Sequence, residues 1–444
     1  MPTAITSGVA TFTIGSGGFY FMGEDEVLAT TGHGITTGED NVDLFVNGQI
    51  YSDDRGIFFL TSGNSIDLTL GADASVVGVN EGLRIGSDNT DVVNYGSITS
   101  LNSIGVNIEF SANGDTAFVN YGSVSGHSTG LEIAGLNQVA VNHGAIDGRV
   151  GVRLAESDTQ FVNYGTVTGT SSVFSGDLGI GLFVLPSEGG SENGIVIKNF
   201  GTITGTGKGI VSGDAAENLL IRNHGLIVGD VELAKGNDTY LAGAEGVVVG
   251  GIFTDEGDDF VRGGHHADDI DGGADNDILL GRGGDDIIFG DTGNDEIKGG
   301  SGDDDIDGGS GRDLLKGGKD DDVLSGAAGA DTLFGGQGDD TLFGGGSADI
   351  LHGGKGDDEL TGGNGDDVFV FEGNDGRDTI TDFINGQDKI DLSDFGQITF
   401  ANLTSNFTIG LHGPTGSFID FGNGDVLILE NMNIGNLDSS DFIF

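Results

Sequence analysis

The 444-residue chain has no cysteine and no tryptophan, only 3 prolines, and 17 basic residues against 71 acidic ones. Without cysteine there is no disulfide framework, so a home outside the cell would need another device to stabilise the fold. A formal net charge of −54 excludes nucleic acid as a natural partner, because phosphate binding requires a basic face. The excess charge points towards cations. No run approaches the ~20 consecutive apolar residues of a membrane span. The opening MPTAITSGVATFTIGSGG lacks the basic start and apolar stretch of a cleavable signal peptide, so an export signal would have to lie elsewhere.

What the chain does have is glycine, 87 residues of it. Acid-rich and glycine-rich chains are often disordered, but here 36% of the residues are hydrophobic and they recur at fixed intervals. From Thr254 to Val370 the sequence divides into thirteen consecutive nonads of the pattern G-G-x-G-x-D-x-U-x, where U is apolar. The sixth position is Asp259, Asp268, Asp277, Asp286, Asp295, Asp304, Asp313, Asp322, Asp331, Asp340, Asp349, Asp358 and Asp367. The eighth runs from Val261 through Ile270 and Leu279 to Phe369, with no polar exception.

Asp-x-U-x supplies a three-residue strand with one inward side chain, and the glycine-rich six that follow permit the left-handed dihedrals of a tight turn. Two nonads then complete one circuit. Stacked circuits place Asp259 over Asp277 and Asp268 over Asp286. One buried aliphatic side chain per nonad contributes about 1.5 to 3 kcal/mol, whereas ordering the backbone costs roughly 1 to 2 kcal/mol per residue. The shortfall, and the repulsion within the aspartate column, both call for a hard divalent cation. Calcium takes six to eight oxygen ligands from carboxylates and carbonyls, whereas magnesium demands a stricter octahedron and keeps its waters. Zinc would look for Cys or His, and the nonads hold only His265, His266 and His352.

These nonads resemble the hemolysin-type calcium-binding repeats of RTX proteins. The resemblance implies a parallel β-roll around calcium, with the sixth-position aspartates binding through side chains and glycines at positions two and four through carbonyls. It carries these roles to the thirteen aspartates and to Gly302, Gly311, Gly338, Gly356 and Gly365 at position four. Thirteen nonads paired at this interval would make up to about eleven stacked calcium sites. Position four is instead His266, Asp275, Asp320 and Ser347 in four nonads, where a side chain strains the turn. A looser copy, GNDTY at 236–240, places the start of the roll just before the strict array. The segment FEGNDGRDTITDFINGQDKIDLSDF resembles the cap that follows such arrays, with further strands expected around Phe407 to Leu411, Ser417 to Phe421 and Asp425 to Glu430. The ending LDSSDFIF resembles the uncleaved C-terminal signal of type I export substrates, and its plain alternative is a closing strand.

A looser repeat marks the N-terminal half. VVNYGSITS, FVNYGSVSG, AVNHGAIDG, FVNYGTVTG, IKNFGTITG and IRNHGLIVG recur every twenty-one to thirty-six residues, most followed by a Gly-apolar pair such as Gly105-Val106. Short alternating strands without helical periodicity argue for a right-handed parallel β-helix. Asn94, Asn120, Asn142, Asn163, Asn199 and Asn223 are expected to form an internal ladder. His143 and His224 share a column with Tyr95, Tyr121, Tyr164 and Phe200, which reads as stacking rather than catalysis. This half resembles β-helical passenger domains and, more distantly, the pectate-lyase-like fold.

The expected architecture is all-β: a β-helix over 1–232, an RTX β-roll over 233–370, and a cap with an export signal over 371–444. The function implied is a secreted calcium-binding protein that passes a type I exporter and folds outside the cell, its β-helix acting as adhesin or structural element. A polysaccharide lyase, epimerase or hydrolase acting on surface or matrix polysaccharide is the alternative, with no catalytic residue assigned. The basic residues Arg55, Arg84, Arg149, Arg153, Lys198 and Arg222 look scattered, and pairing of Arg149 and Arg153 with Asp147 and Glu156 reads as ordinary surface chemistry. H-E-x-x-H is missing, which disfavours the metalloproteases that carry RTX arrays.

Overall fold

The computed structural model describes residues 218–396 without a break. Elsewhere it describes all but 1–2, 5–11, 15–18, 24–25, 31–32, 38–41, 60–65, 87–88, 110–116, 136–137, 156–157, 171–178, 186–193, 214–217, 397, 402, 404–406 and 414–415. Glu156 and most of the insertion after Thr170 therefore lie outside the described residues. The chain forms two compact units, Met1–Ile252 and Phe253–Phe444.

The first unit is a parallel β-helix whose coils each contribute short strands. Thr90–Asn94, Ser97–Ser100 and Ile104–Glu109 form one coil, and each pairs in parallel with its counterpart in the next: Ala117–Asn120, Ser123–Ser125 and Thr129–Ala134. The alternation seen in the sequence decides which residues face inward. Val92, Phe118, Phe161, Ile197 and Ile221 stack in one buried column, and Ile98, Val124, Ile146, Val167, Ile203 and Ile227 in another. The Gly-apolar pair has a steric cause. A Cβ on Gly105, Gly130, Gly151 or Gly181 would lie 2.6 Å from the carbonyl oxygen of the corresponding glycine in the next coil.

The asparagine ladder is present as expected. Asn94 donates its side-chain N–H to Asn120 at 2.8 Å, and the chain continues through Asn142, Asn163 and Asn199 to Asn223 at 2.8 to 2.9 Å. All six are buried. Each also donates to a backbone carbonyl, as Asn163 does to Thr202 at 3.1 Å, so the buried amides are satisfied. The aromatic column stacks on the outside. Tyr95, Tyr121, His143, Tyr164, Phe200 and His224 lie 4.7 to 5.0 Å apart, with planes within 10° of parallel.

In the second unit two parallel ladders run along opposite sides of a thin roll. Ile278–Leu280, Glu296–Ser301 and Leu314–Lys319 belong to one, and Ile287–Phe289, Asp305–Asp307 and Val323–Ser325 to the other. Partners are eighteen residues apart, as Leu279 and Ile297 are, which makes two nonads one coil. The eighth-position residues from Val261 to Phe369 are at most 1% exposed and fill the interior. Beyond Val370 the ladders continue with altered spacing. Val368–Val370 pairs with Lys389–Asp391, which pairs with Phe442–Ile443. Arg377–Ile380 pairs with Asp425–Leu429, the last strand of an antiparallel meander with Thr408–His412 and Gly416–Gly422. The expected strands of the tail are therefore all present, and Phe442–Ile443 serves as a closing strand.

Candidate metal centre

The sixth-position aspartates stand in two stacked columns. Asp259 N–H donates to Asp277 Oδ1 at 2.8 Å, and Asp268 N–H to Asp286 Oδ1 at 2.8 Å. The same bond repeats between coils through Asp313–Asp331 at 2.8 Å and Asp340–Asp358 at 2.8 Å to Asp349–Asp367 at 3.0 Å. One carboxylate oxygen thus ties each coil to the one before it.

The other oxygen is left bare. Oδ2 of Asp277, Asp286, Asp295, Asp304, Asp313, Asp322, Asp331, Asp340, Asp349 and Asp358 is buried and has no hydrogen-bond partner. A native fold does not bury carboxylate oxygens without compensation. The consequence appears in their acidity. Burial, and secondarily neighbouring carboxylates, push Asp277 and Asp322 up to about 8 and Asp286, Asp349 and Asp358 up to about 7. Desolvation is the larger cause throughout. The repulsion that the sequence suggests is real but second to the cost of removing these groups from water.

Position-one glycines make the space for Oδ2. A Cβ on Gly281, Gly299 or Gly317 would lie 2.1 to 2.3 Å from Oδ2 of Asp286, Asp304 or Asp322. Positions two and four turn the chain in the left-handed region: Gly300 and Gly302 have φ of 128° and 115°, and Gly309 and Gly311 have 91° and 145°. Gly338, Gly356 and Gly365 follow the same pattern. Asp275, Asp320 and Ser347 take φ of 79°, 71° and 89°, the strain expected of side chains at that position. His266 is not in the left-handed region. Its nonad departs from the others, because Asp268 Oδ2 accepts the Gly264 N–H at 2.9 Å.

Among the described residues no three His, Cys, Asp or Glu side chains converge on one point. A cation here would therefore rest on one or two carboxylates completed by turn carbonyls, an all-oxygen set that suits calcium and not zinc. The bare, buried oxygens fit such an ion, which would supply positive charge where the chain has none. His352 stacks on Phe334 at 4.4 Å, and burial lowers its pKa.

These features decide what the segment is. The RTX calcium-binding nonapeptide repeat is matched over 252–279, 280–315, 308–342, 316–351 and 343–380. Residues 252–380 are RTX calcium-binding repeats. Among solved structures, the extracellular lipase LipA from Serratia marcescens is matched at 21% identity over 42% of this chain and 40% of that one, with a TM-score of 0.17. No curated protein matches the chain. No helix among the described residues is long and apolar enough to cross a membrane, which does not address a β-barrel.

The RTX ladder extends past the strict nonads. Asp358 N–H donates to Asp378 Oδ1 at 3.3 Å, and Asp367 N–H to Asp388 Oδ1 at 3.1 Å. Asp378 Oδ2 is again buried without a partner, and its pKa is pushed up to about 9 by burial. In the first unit, Asp238 of GNDTY accepts the Leu219 N–H at 2.6 Å, and burial raises it to about 7. The signal for Asp378 and Asp388 was the D-x-U triplet, as Asp378-Thr379-Ile380 and Asp388-Lys389-Ile390, hidden by spacings that are no longer nine.

Of the N-terminal basic residues, Arg55, Arg84 and Arg153 are not scattered in space. Glu81 is salt-bridged to Arg55 and to Arg84, the latter at 3.0 Å, while Arg84 also pairs with Glu109. Asn107 donates to Glu81 at 2.9 Å, and Arg153 lies 3.6 Å from Glu132. Burial raises the Glu132 carboxyl. Of the histidines outside the aromatic column, His33 lies 3.0 Å from Asp54 and His127 lies 3.1 Å from Arg149.

Proposed function

We propose that the protein is a secreted, calcium-binding RTX protein whose roll folds on binding calcium outside the cell. The observation that carries this reading is the column of buried carboxylate oxygens with no partner from Asp277 to Asp358. In calcium-poor cytoplasm the roll stays open, and the chain can thread a type I exporter. Outside, calcium at the ~10⁻⁴ to 10⁻³ M affinity of extracellular modules supplies the missing charge. The working division is a β-helix over 1–232, the roll over 233–370 and a cap over 371–444. The thirteen aspartates and the carbonyls of Gly302, Gly311, Gly338, Gly356 and Gly365 hold up to about eleven ions, with the Asp268 nonad the weakest. The last eight residues act as an uncleaved export signal while unfolded and as a closing strand afterwards.

The β-helix acts as an adhesin or structural element. Supporting this, its exposed aromatic column, with each ring stacked on the next, presents a continuous row of ring edges to the outside. The alternative, a polysaccharide-modifying enzyme, is favoured by the Arg55–Glu81–Arg84–Glu132–Arg153 face, which brings acids and bases together. Against it, these arginines already face carboxylates of the same ladder. Adding calcium to chelated protein should raise the β content in circular dichroism, and equal β content in both conditions would refute the folding mechanism. Deleting the last eight residues should block export, and normal secretion would refute that signal.

A further inference from the structure

In a chain with 71 acidic and 17 basic residues, four basic side chains gather around one groove of the roll. Arg262, Arg282, Lys298 and Lys319, with Leu280 and Ser301, line a cavity of about 410 Å³, a size typical of small-ligand sites. Several basic residues elsewhere meet carboxylates: Arg55, Arg84, Arg153, Lys208 and, next to the groove, Lys316 with Glu296 at 3.5 Å. Among the described residues the four in the groove have no ion pair, and Arg262 Nε is buried with no hydrogen-bond partner. Arg282 also holds φ of 82° at a position that most nonads give to glycine. Asp tolerates that conformation through local hydrogen bonds, but Arg has no such compensation.

The spacing of the charges follows the coils. Arg262, Leu280 and Lys298 occupy one register position of three successive strands, and neighbouring strands lie ~4.8 Å apart. Arg262 and Lys298 are therefore roughly 10 Å apart along the roll. A uronate chain carries one carboxylate per sugar, so it can set successive carboxylates against cations that recur along the roll. Leu280 between the two cations offers an apolar surface to a sugar face, and Gly299 and Gly300 in the lining leave the backbone approachable.

We propose that this groove binds a short acidic saccharide, its carboxylates against Arg262, Arg282, Lys298 and Lys319 and one ring over Leu280. The site needs the folded roll, since its residues come together only when the coils stack, and to that extent it rests on the calcium-folding reading. It is separate from whatever the β-helix does.

The test is calorimetric titration of the full chain, in saturating calcium, with a uronate tetrasaccharide, a sulfated tetrasaccharide and a neutral one. Circular dichroism and calcium stoichiometry are recorded on every sample, so a roll that fails to fold is told apart from a groove that fails to bind. Saturable binding of the uronate and none of the neutral sugar is expected. Arg262→Gln with Lys298→Gln should weaken it about tenfold or more, whereas Arg262→Lys with Lys298→Arg, which keeps both charges and changes only donor geometry, should weaken it less than the glutamine pair does. Lys355→Gln, outside the groove, should change nothing and controls for calcium bridging. No saturable uronate binding to folded protein, equal binding by the glutamine variant, or tighter binding of the sulfated sugar would overturn the assignment.

Discussion

Removing calcium and then lowering the pH should fold the roll a second way. In the folded state Asp277 and Asp322 are pushed up to about 8, Asp286, Asp349 and Asp358 to about 7, and Asp295, Asp304, Asp331 and Asp340 to about 6. In the unfolded chain an aspartate titrates near ~3.9. The folded state thus binds more protons between these values, so its stability is highest at acid pH and is lost as pH rises through 6 to 8. Going from pH ~8 to ~5.5 stabilises the fold by about 2 kcal/mol for a group at about 7 and about 1 kcal/mol for one at about 6. Solvent screening and coupling along the column reduce the total to the order of 5 kcal/mol. That is comparable to the whole stability of a domain. With a chelator that holds calcium at both pH values, circular dichroism should show a roll that is open at pH ~8 and structured at ~5.5. A β content that stays the same, or falls, on acidification would refute the argument from buried carboxylates.

Further outcomes follow from single positions. Replacing Asp313 and Asp331 together with Ser should remove about one calcium ion from the equilibrium-dialysis stoichiometry, and an unchanged count would contradict the pairing of stacked aspartates. Gly317→Ala puts a Cβ 2.3 Å from Asp322 Oδ2. It should raise the calcium midpoint and cost about 1 to 3 kcal/mol, and a midpoint equal to wild type would remove the steric role given to position one. Asn163→Ala breaks two links of the buried ladder, at 2.9 Å to Asn142 and 2.9 Å to Asn199. It should lower the melting temperature of the β-helix by leaving buried amide groups unmatched, at about 2 to 4 kcal/mol, and should leave calcium binding alone.

How much of this was legible depended on spacing. The roll was written out in the sequence because its period is strict: Asp and apolar residues at fixed offsets define the coil, the buried column and the inward face. The asparagine and aromatic ladders were legible for the same reason, since VNYGS and its relatives mark one point on each coil. Three things were not. Asp378 and Asp388 keep their triplets but lose the nine-residue beat, because the cap inserts turns between rungs. The face formed by Arg55, Glu81, Arg84 and Arg153 depends on coils of unequal length, and only the strand register brings those residues together. The position-one glycines looked like turn residues, whereas they clear the space beside the carboxylate. The energetic emphasis also shifts, from repulsion among aspartates to the desolvation of each one.

Amide hydrogen exchange, read segment by segment with calcium and with chelator at pH ~7.5, tests the central claim most directly. The amides of Asp277 to Asp349, which donate to the next carboxylate in the column, should be protected with calcium and exchange freely without it. The β-helix strands around Asn120 and Asn163 should be protected in both conditions. Protection of the aspartate amides that is equal with and without calcium would contradict the account.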